Sequence, residues 1–71
     1  MERTTIEVTG MSCGHCVGAV RRALQELEGV RVEEVEVGAA TVEHDPRAVT
    51  AERIAQAIAD EGYGARVAGR E

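Results

Sequence analysis

Apolar side chains recur along this chain first at every second position, then at the spacing of one helix face, and the two periods trade places again before the end. That order confines the fold more tightly than any single residue does. From Thr4 to Val8, Ile6 and Val8 alternate with Thr5 and Glu7, the period of a half-buried strand. After Gly10, Val17, Val20, Leu24 and Leu27 fall on one stripe of an amphipathic helix. Its other face carries Arg21, Arg22, Gln25 and Glu28, and Gly29 is placed to end it as a C-terminal cap. The stretch Val30 to Val37 alternates at both ends but slips by one residue at Glu33-Glu34. The slip predicts a bulge or a late strand start, with Val35 and Val37 as the core residues. Gly38-Ala39-Ala40 then turns the chain into a third strand, Ala40 to His44, which pairs with the second as a hairpin.

Asp45-Pro46 stops that strand, and Thr50 is placed as the N-cap of a second helix with Glu52 in its first turn. Ala51, Ile54, Ala55 and Ile58 share the core-facing stripe of this helix, and Gly62 closes it. Ala65 to Val67 is a short fourth strand, and Gly69-Arg70-Glu71 is expected to fray. The order strand, helix, strand, strand, helix, strand closes as a four-stranded antiparallel sheet with two helices on one face. This is an α+β sandwich of the ferredoxin-like, βαββαβ kind, one domain spanning 1–71 with its core in 4–67.

A domain of 71 residues buries only about 60% of the surface its unfolded chain exposes, and it has no room for a deep cleft. Aromatic residues are 1% of the chain, so the core is built from Val, Ile, Leu and Ala, and the sole aromatic, Tyr63, invites a reason. Thirteen acidic against eight basic residues, all arginine, give a formal charge of −5. That balance argues against a nucleic-acid partner, whose phosphates need clustered basic side chains, and fits a basic docking surface on another protein. The N-terminal residues do not form the apolar run of a signal peptide, and no stretch approaches the length of a membrane span. A cytoplasmic protein with no membrane insertion is the expectation, and the start at Met1 with a short tail leans toward a free-standing one.

The chemistry is concentrated in Met11-Ser12-Cys13-Gly14-His15-Cys16, which holds both cysteines at i and i+3 between the first strand and the first helix. In a reducing compartment such a pair reads as a metal or redox pair rather than a structural disulfide. Cys13 is expected in the loop, and Cys16 in the first helical turn, where unpaired N–H groups and the helix dipole favour a thiolate. Soft thiolates prefer soft metals, so Cu(I) leads, with zinc, mercury, silver or cadmium able to bind. Two ligands leave the shell incomplete and open to a partner's thiolate. A catalytic zinc site would want three protein ligands and a base in a pocket, so enzymatic activity is not expected.

The remaining residues near the motif carry open readings. Met11 is read as core support rather than a ligand. His15 is open to ligation, to tuning the thiolates, to bridging two chains or to plain solvation. Tyr63 is read either as packing or as a ring that shields the metal loop. His44 is read as a surface residue, and Arg21 and Arg22 as solvated helix positions. Gly14 lets the loop bend, and Gly18 costs about 1 kcal/mol in a helix unless close packing needs it.

Gly10-Met11-Ser12-Cys13-Gly14-His15-Cys16, Gly29-Val30, Asp45-Pro46 and Glu61-Gly62-Tyr63 resemble the heavy-metal-associated domain of bacterial copper chaperones, over nearly the whole of 4–67. The resemblance implies a ferredoxin-like fold, Cu(I) held by Cys13 and Cys16, and a buried, non-ligating Met11. It also implies a near-site aromatic at Tyr63. The partner it implies is the N-terminal domain of a copper-transporting P-type ATPase or a copper regulator. Zinc-selective relatives often have Asp before the first cysteine, where this chain has Ser12. Glu33 departs from the pattern, since family members usually carry Val there.

Other readings remain open at this point: a metal-binding domain cut from a P-type ATPase, a mercury or zinc carrier, or a thiol-disulfide oxidoreductase using Cys-Gly-His-Cys. The last would need a thioredoxin fold with a parallel βαβ layout, usually with a Trp before the motif, and the chain has no Trp. The chain is expected as a monomer, with a dimer bridged by shared copper as a further form.

Overall fold

The computed structural model describes residues 2–11 and 14–70. Its elements are β1 (Glu2–Thr9), α1 (Gly14–Gln25), β2 (Val30–Glu36), β3 (Ala39–His44), α2 (Ala51–Asp60) and β4 (Gly64–Arg70). The strands form one sheet in the order β2-β3-β1-β4, with every neighbouring pair antiparallel. Each βαβ unit is thus split by a strand of the other, the ferredoxin-like arrangement.

The alternation within each strand selects the buried face. Thr4, Ile6 and Val8 of β1 and Ala40, Val42 and His44 of β3 point inward, while Glu7 points out to meet Arg66 across the sheet at 3.0 Å. Val20 and Leu24 of α1 and Ile54 and Ile58 of α2 close over that face in a single core. Thr50 caps α2 by accepting the Arg53 N–H at 3.1 Å, and Gly62, at φ +97°, turns the chain out of it. Ala57 is buried beside the expected stripe, with Ala55 only half-buried.

The slip at Glu33-Glu34 is a bulge. Val32 faces Val42 and Glu34 faces Thr41, so Glu33 is the extra residue, and its carboxylate reaches Arg3 at 3.1 Å. The departure at Glu33 therefore leaves the two ends of the strand in register with β3.

Four expectations are corrected. Val37 is 58% exposed rather than in the core, because β2 ends at Glu36 and Val37-Gly38 form a two-residue turn. The positive φ falls on the second turn residue, Gly38 at +95°, the pattern of a type II turn. The first helix ends at Gln25 rather than running to Gly29: the Leu27 N–H bonds back three residues to Leu24, tightening the last turn. Gly29, at φ +79°, instead lies under the segment after β3, where an added Cβ would stand 3.1 Å from Ala48. The fourth strand is longer than Ala65 to Val67, and Gly69 and Arg70 pair with Thr5 and Thr4 rather than fray, because β1 begins at Glu2 and offers them partners. Glu71 lies outside the described residues.

The fourth correction is His44, which is fully buried rather than on the surface. Its Nδ1 lies 2.9 Å from the Val49 carbonyl and its Nε2 2.8 Å from Thr4 Oγ1. A carbonyl only accepts, so Nδ1 carries the hydrogen, and in the neutral ring Nε2 accepts from the Thr4 hydroxyl. The ring thereby ties the approach to α2 onto the start of β1.

Candidate metal centre

The end of β1, the β2–β3 turn and the α2–β4 turn meet at one end of the sandwich. Val8 donates its N–H to the Gly38 carbonyl at 2.9 Å, and Thr9 pairs with Gly64. Glycines at positive φ occupy each of these three places: Gly10 at +91°, Gly38 at +95° and Gly62 at +97°. They let three chain reversals crowd together where side chains in that conformation would be strained. Gly64 adds a steric demand, since a Cβ there would collide with Thr9 Oγ1.

Cys16 is the third residue of α1, half-buried and packed against the core. It stands in the first turn, where backbone N–H groups lack intrahelical partners and the helix dipole is positive, the setting that favours a thiolate. The sequence expectation for Cys16 is met in its position. Cys13 and Ser12, the first expected ligand and the residue before it, lie outside the described residues.

Met11 is 9% exposed and belongs to the core cluster, and its sulfur accepts the Gly38 N–H at 3.5 Å. The thioether is thus engaged by the protein, in keeping with a supporting role. His15 is exposed and shares a shallow depression on the outer face of α1 with Gly14, Gly18, Ala19 and Arg22. Successive residues on a helix diverge by about 100°, which separates His15 on the solvent face from Cys16 on the core side. An added Cβ at Gly18 would meet nothing within 4 Å, so packing inside the fold does not explain that glycine.

Tyr63 is half-buried against the core, with ring atom Cδ1 3.7 Å from where a Cβ on Gly10 would stand. The ring therefore stands beside the residue immediately before Met11, which itself stays exposed. Among the described residues, no three His, Cys, Asp or Glu side chains gather in a metal-binding group. No helix among them is long and apolar enough to cross a membrane.

Sequence reasoning missed Gly38, Thr9 and Gly64, whose contacts hold the end of β1 and Met11 from outside the motif. Gly38 was legible only as a turn glycine. The Thr9 and Gly64 contact is a product of strand pairing and carries no local signal.

Comparison with known proteins places this architecture. Residues 5–64 match the family model of the heavy-metal-associated domain. The chain is 46% identical over 65 residues to the copper chaperone CopZ of Bacillus subtilis, covering 89% of this chain and 94% of that protein. Among solved structures, a copper-binding domain from HMA7, a P-type ATPase, superposes with a TM-score of 0.93 at 33% identity, covering 100% of this chain and 99% of that one. The apo copper chaperone of Enterococcus hirae gives a TM-score of 0.82 at 39% identity, covering 90% of this chain and 97% of that one.

Proposed function

Because this chain belongs to the heavy-metal-associated domain family, we propose that it is a cytoplasmic Cu(I) carrier, not an enzyme. It holds its cargo between the thiolates of Cys13 and Cys16 and passes it to a thiolate-bearing domain of a copper-transporting P-type ATPase or a copper regulator. The observation that carries this reading is Cys16 half-buried in the first turn of α1, in a chain whose relatives include a copper chaperone 46% identical to it.

The chemistry follows from the donors. Thiolates are soft ligands suited to Cu(I), and a pair of them leaves the ion short of a closed shell. An incoming thiolate can add to the ion before one of the chain's own sulfurs leaves, so each step makes one copper–sulfur bond and breaks one. No electron changes hands and the ion is never released to water. Met11, whose sulfur takes the Gly38 N–H, supports the loop without joining the shell. Tyr63, whose ring stands beside Gly10, packs against the base of the loop. The redox reading draws no support from the sheet, which is antiparallel throughout rather than the parallel layout a thioredoxin fold requires.

The test is an anaerobic competition titration of the reduced protein against a chromophoric Cu(I) chelator, repeated with Zn(II) and with Cys13→Ser and Cys16→Ser. The expected result is tight 1:1 Cu(I) binding, much weaker zinc binding, and loss of tight copper binding in each variant. Copper binding that survives both substitutions together would sink the reading.

A further inference from the structure

Gly38 lies in the turn between β2 and β3, far in sequence from the cysteine motif, yet both of its backbone polar groups engage the segment that leads into that motif. Its N–H donates to Met11 Sδ at 3.5 Å, and its carbonyl accepts the Val8 N–H at 2.9 Å. Its φ is +95°, while an added Cβ would meet nothing within 4 Å, so conformation rather than space calls for glycine here. A thioether is a weak acceptor, but this one belongs to a residue only 9% exposed, with few other ways to be oriented.

We propose that Gly38 is a positioning residue for the metal loop: by holding the Met11 sulfur through its N–H and Val8 through its carbonyl, the hairpin turn fixes where the loop leaves β1 and so preorganises the thiolate pair. The inference rests on the metal-carrier reading above. It assigns the hairpin a part in metal affinity that none of the motif residues supplies. It also accounts for the thioether, a soft donor in its own right, being turned toward a backbone amide.

Two measurements test it. In the reduced, metal-free protein, amide hydrogen exchange at Gly38 is compared between wild type and Met11→Leu, a swap that keeps volume and removes the sulfur. Exchange at Gly38 is expected to be about fivefold faster in the variant, with the paired amides of β1 unchanged. Cu(I) affinity is then measured by chelator competition for wild type, Gly38→Ala, Met11→Leu and the double variant. Each single variant is expected to bind about fivefold more weakly, and the double variant no more weakly than the worse single, because Gly38→Ala already disturbs the turn that presents the N–H to the Met11 sulfur and the two substitutions are not independent. Unchanged Gly38 exchange in Met11→Leu, or affinity losses that multiply in the double variant, would overturn the proposal. Single variants that lose thermal stability while keeping wild-type affinity would overturn it too, reducing the contact to packing. Weak copper binding by the wild type would instead strike the carrier reading, and the metal-free exchange comparison would still decide whether Gly38 holds Met11.

Discussion

Thr4→Val isolates the buried histidine. Valine keeps the shape of threonine and its place on the inner face of β1, but removes the hydroxyl that His44 Nε2 accepts from at 2.8 Å. Both residues are fully buried, and among the described residues no buried side-chain nitrogen or oxygen lacks a partner, so the variant creates an orphan where there was none. Losing the bond and stranding the acceptor together cost about 1–3 kcal/mol. For a domain of this size each kcal/mol moves the midpoint by about 4–8 °C, so the melting temperature should fall by about 4–24 °C. Thermal unfolding of the reduced, metal-free protein followed by far-UV circular dichroism measures it, with urea unfolding as a check that the slope, and hence the unfolded state, is unchanged. On the proposed reading copper affinity should stay at the wild-type value, because Thr4 stands five residues, about 17 Å, along β1 from Thr9, the end that leads into the cysteine motif. Nitrogen NMR of the His44 ring supplies the independent arm and should find the hydrogen on Nδ1 in the neutral form. A midpoint within about 1 °C of wild type, or the hydrogen found on Nε2, would refute the hydrogen-bond assignment.

Two further outcomes follow from the packing. Gly64→Ala should force the exposed Thr9 hydroxyl out of its present rotamer and destabilise by about 0.5–1.5 kcal/mol, and adding Thr9→Ala should restore most of the loss in a chemical denaturation series. Val37→Thr, although it replaces a large apolar residue, should change stability by no more than about 0.5 kcal/mol, since the side chain is 58% exposed in a turn; a loss typical of a core valine would show that it packs after all.

Local periodicity alone determined much of this protein. The two helices, the four strands, the Thr50 cap and the slip at Glu33 each depend on residues within a few positions of one another, and the side-chain pattern reports them directly. The apolar stripe that begins at Val17 likewise places Cys16 in a first helical turn from local sequence alone. Even His44 was half legible, since it shares the inward parity of Ala40 and Val42, but parity says nothing of a partner forty residues away. Tertiary structure decided what no window could contain. It set the strand order that puts β1 between β3 and β4 and the pairing that carries β4 out to Arg70. It also set the hairpin turn that exposes Val37 while aiming Gly38 at Met11. The physical reason is one of range: propensity, capping and amphipathicity are settled among neighbours in sequence. Register, burial and the bracing of a site are settled by which distant backbone and side-chain groups come together when one small core closes.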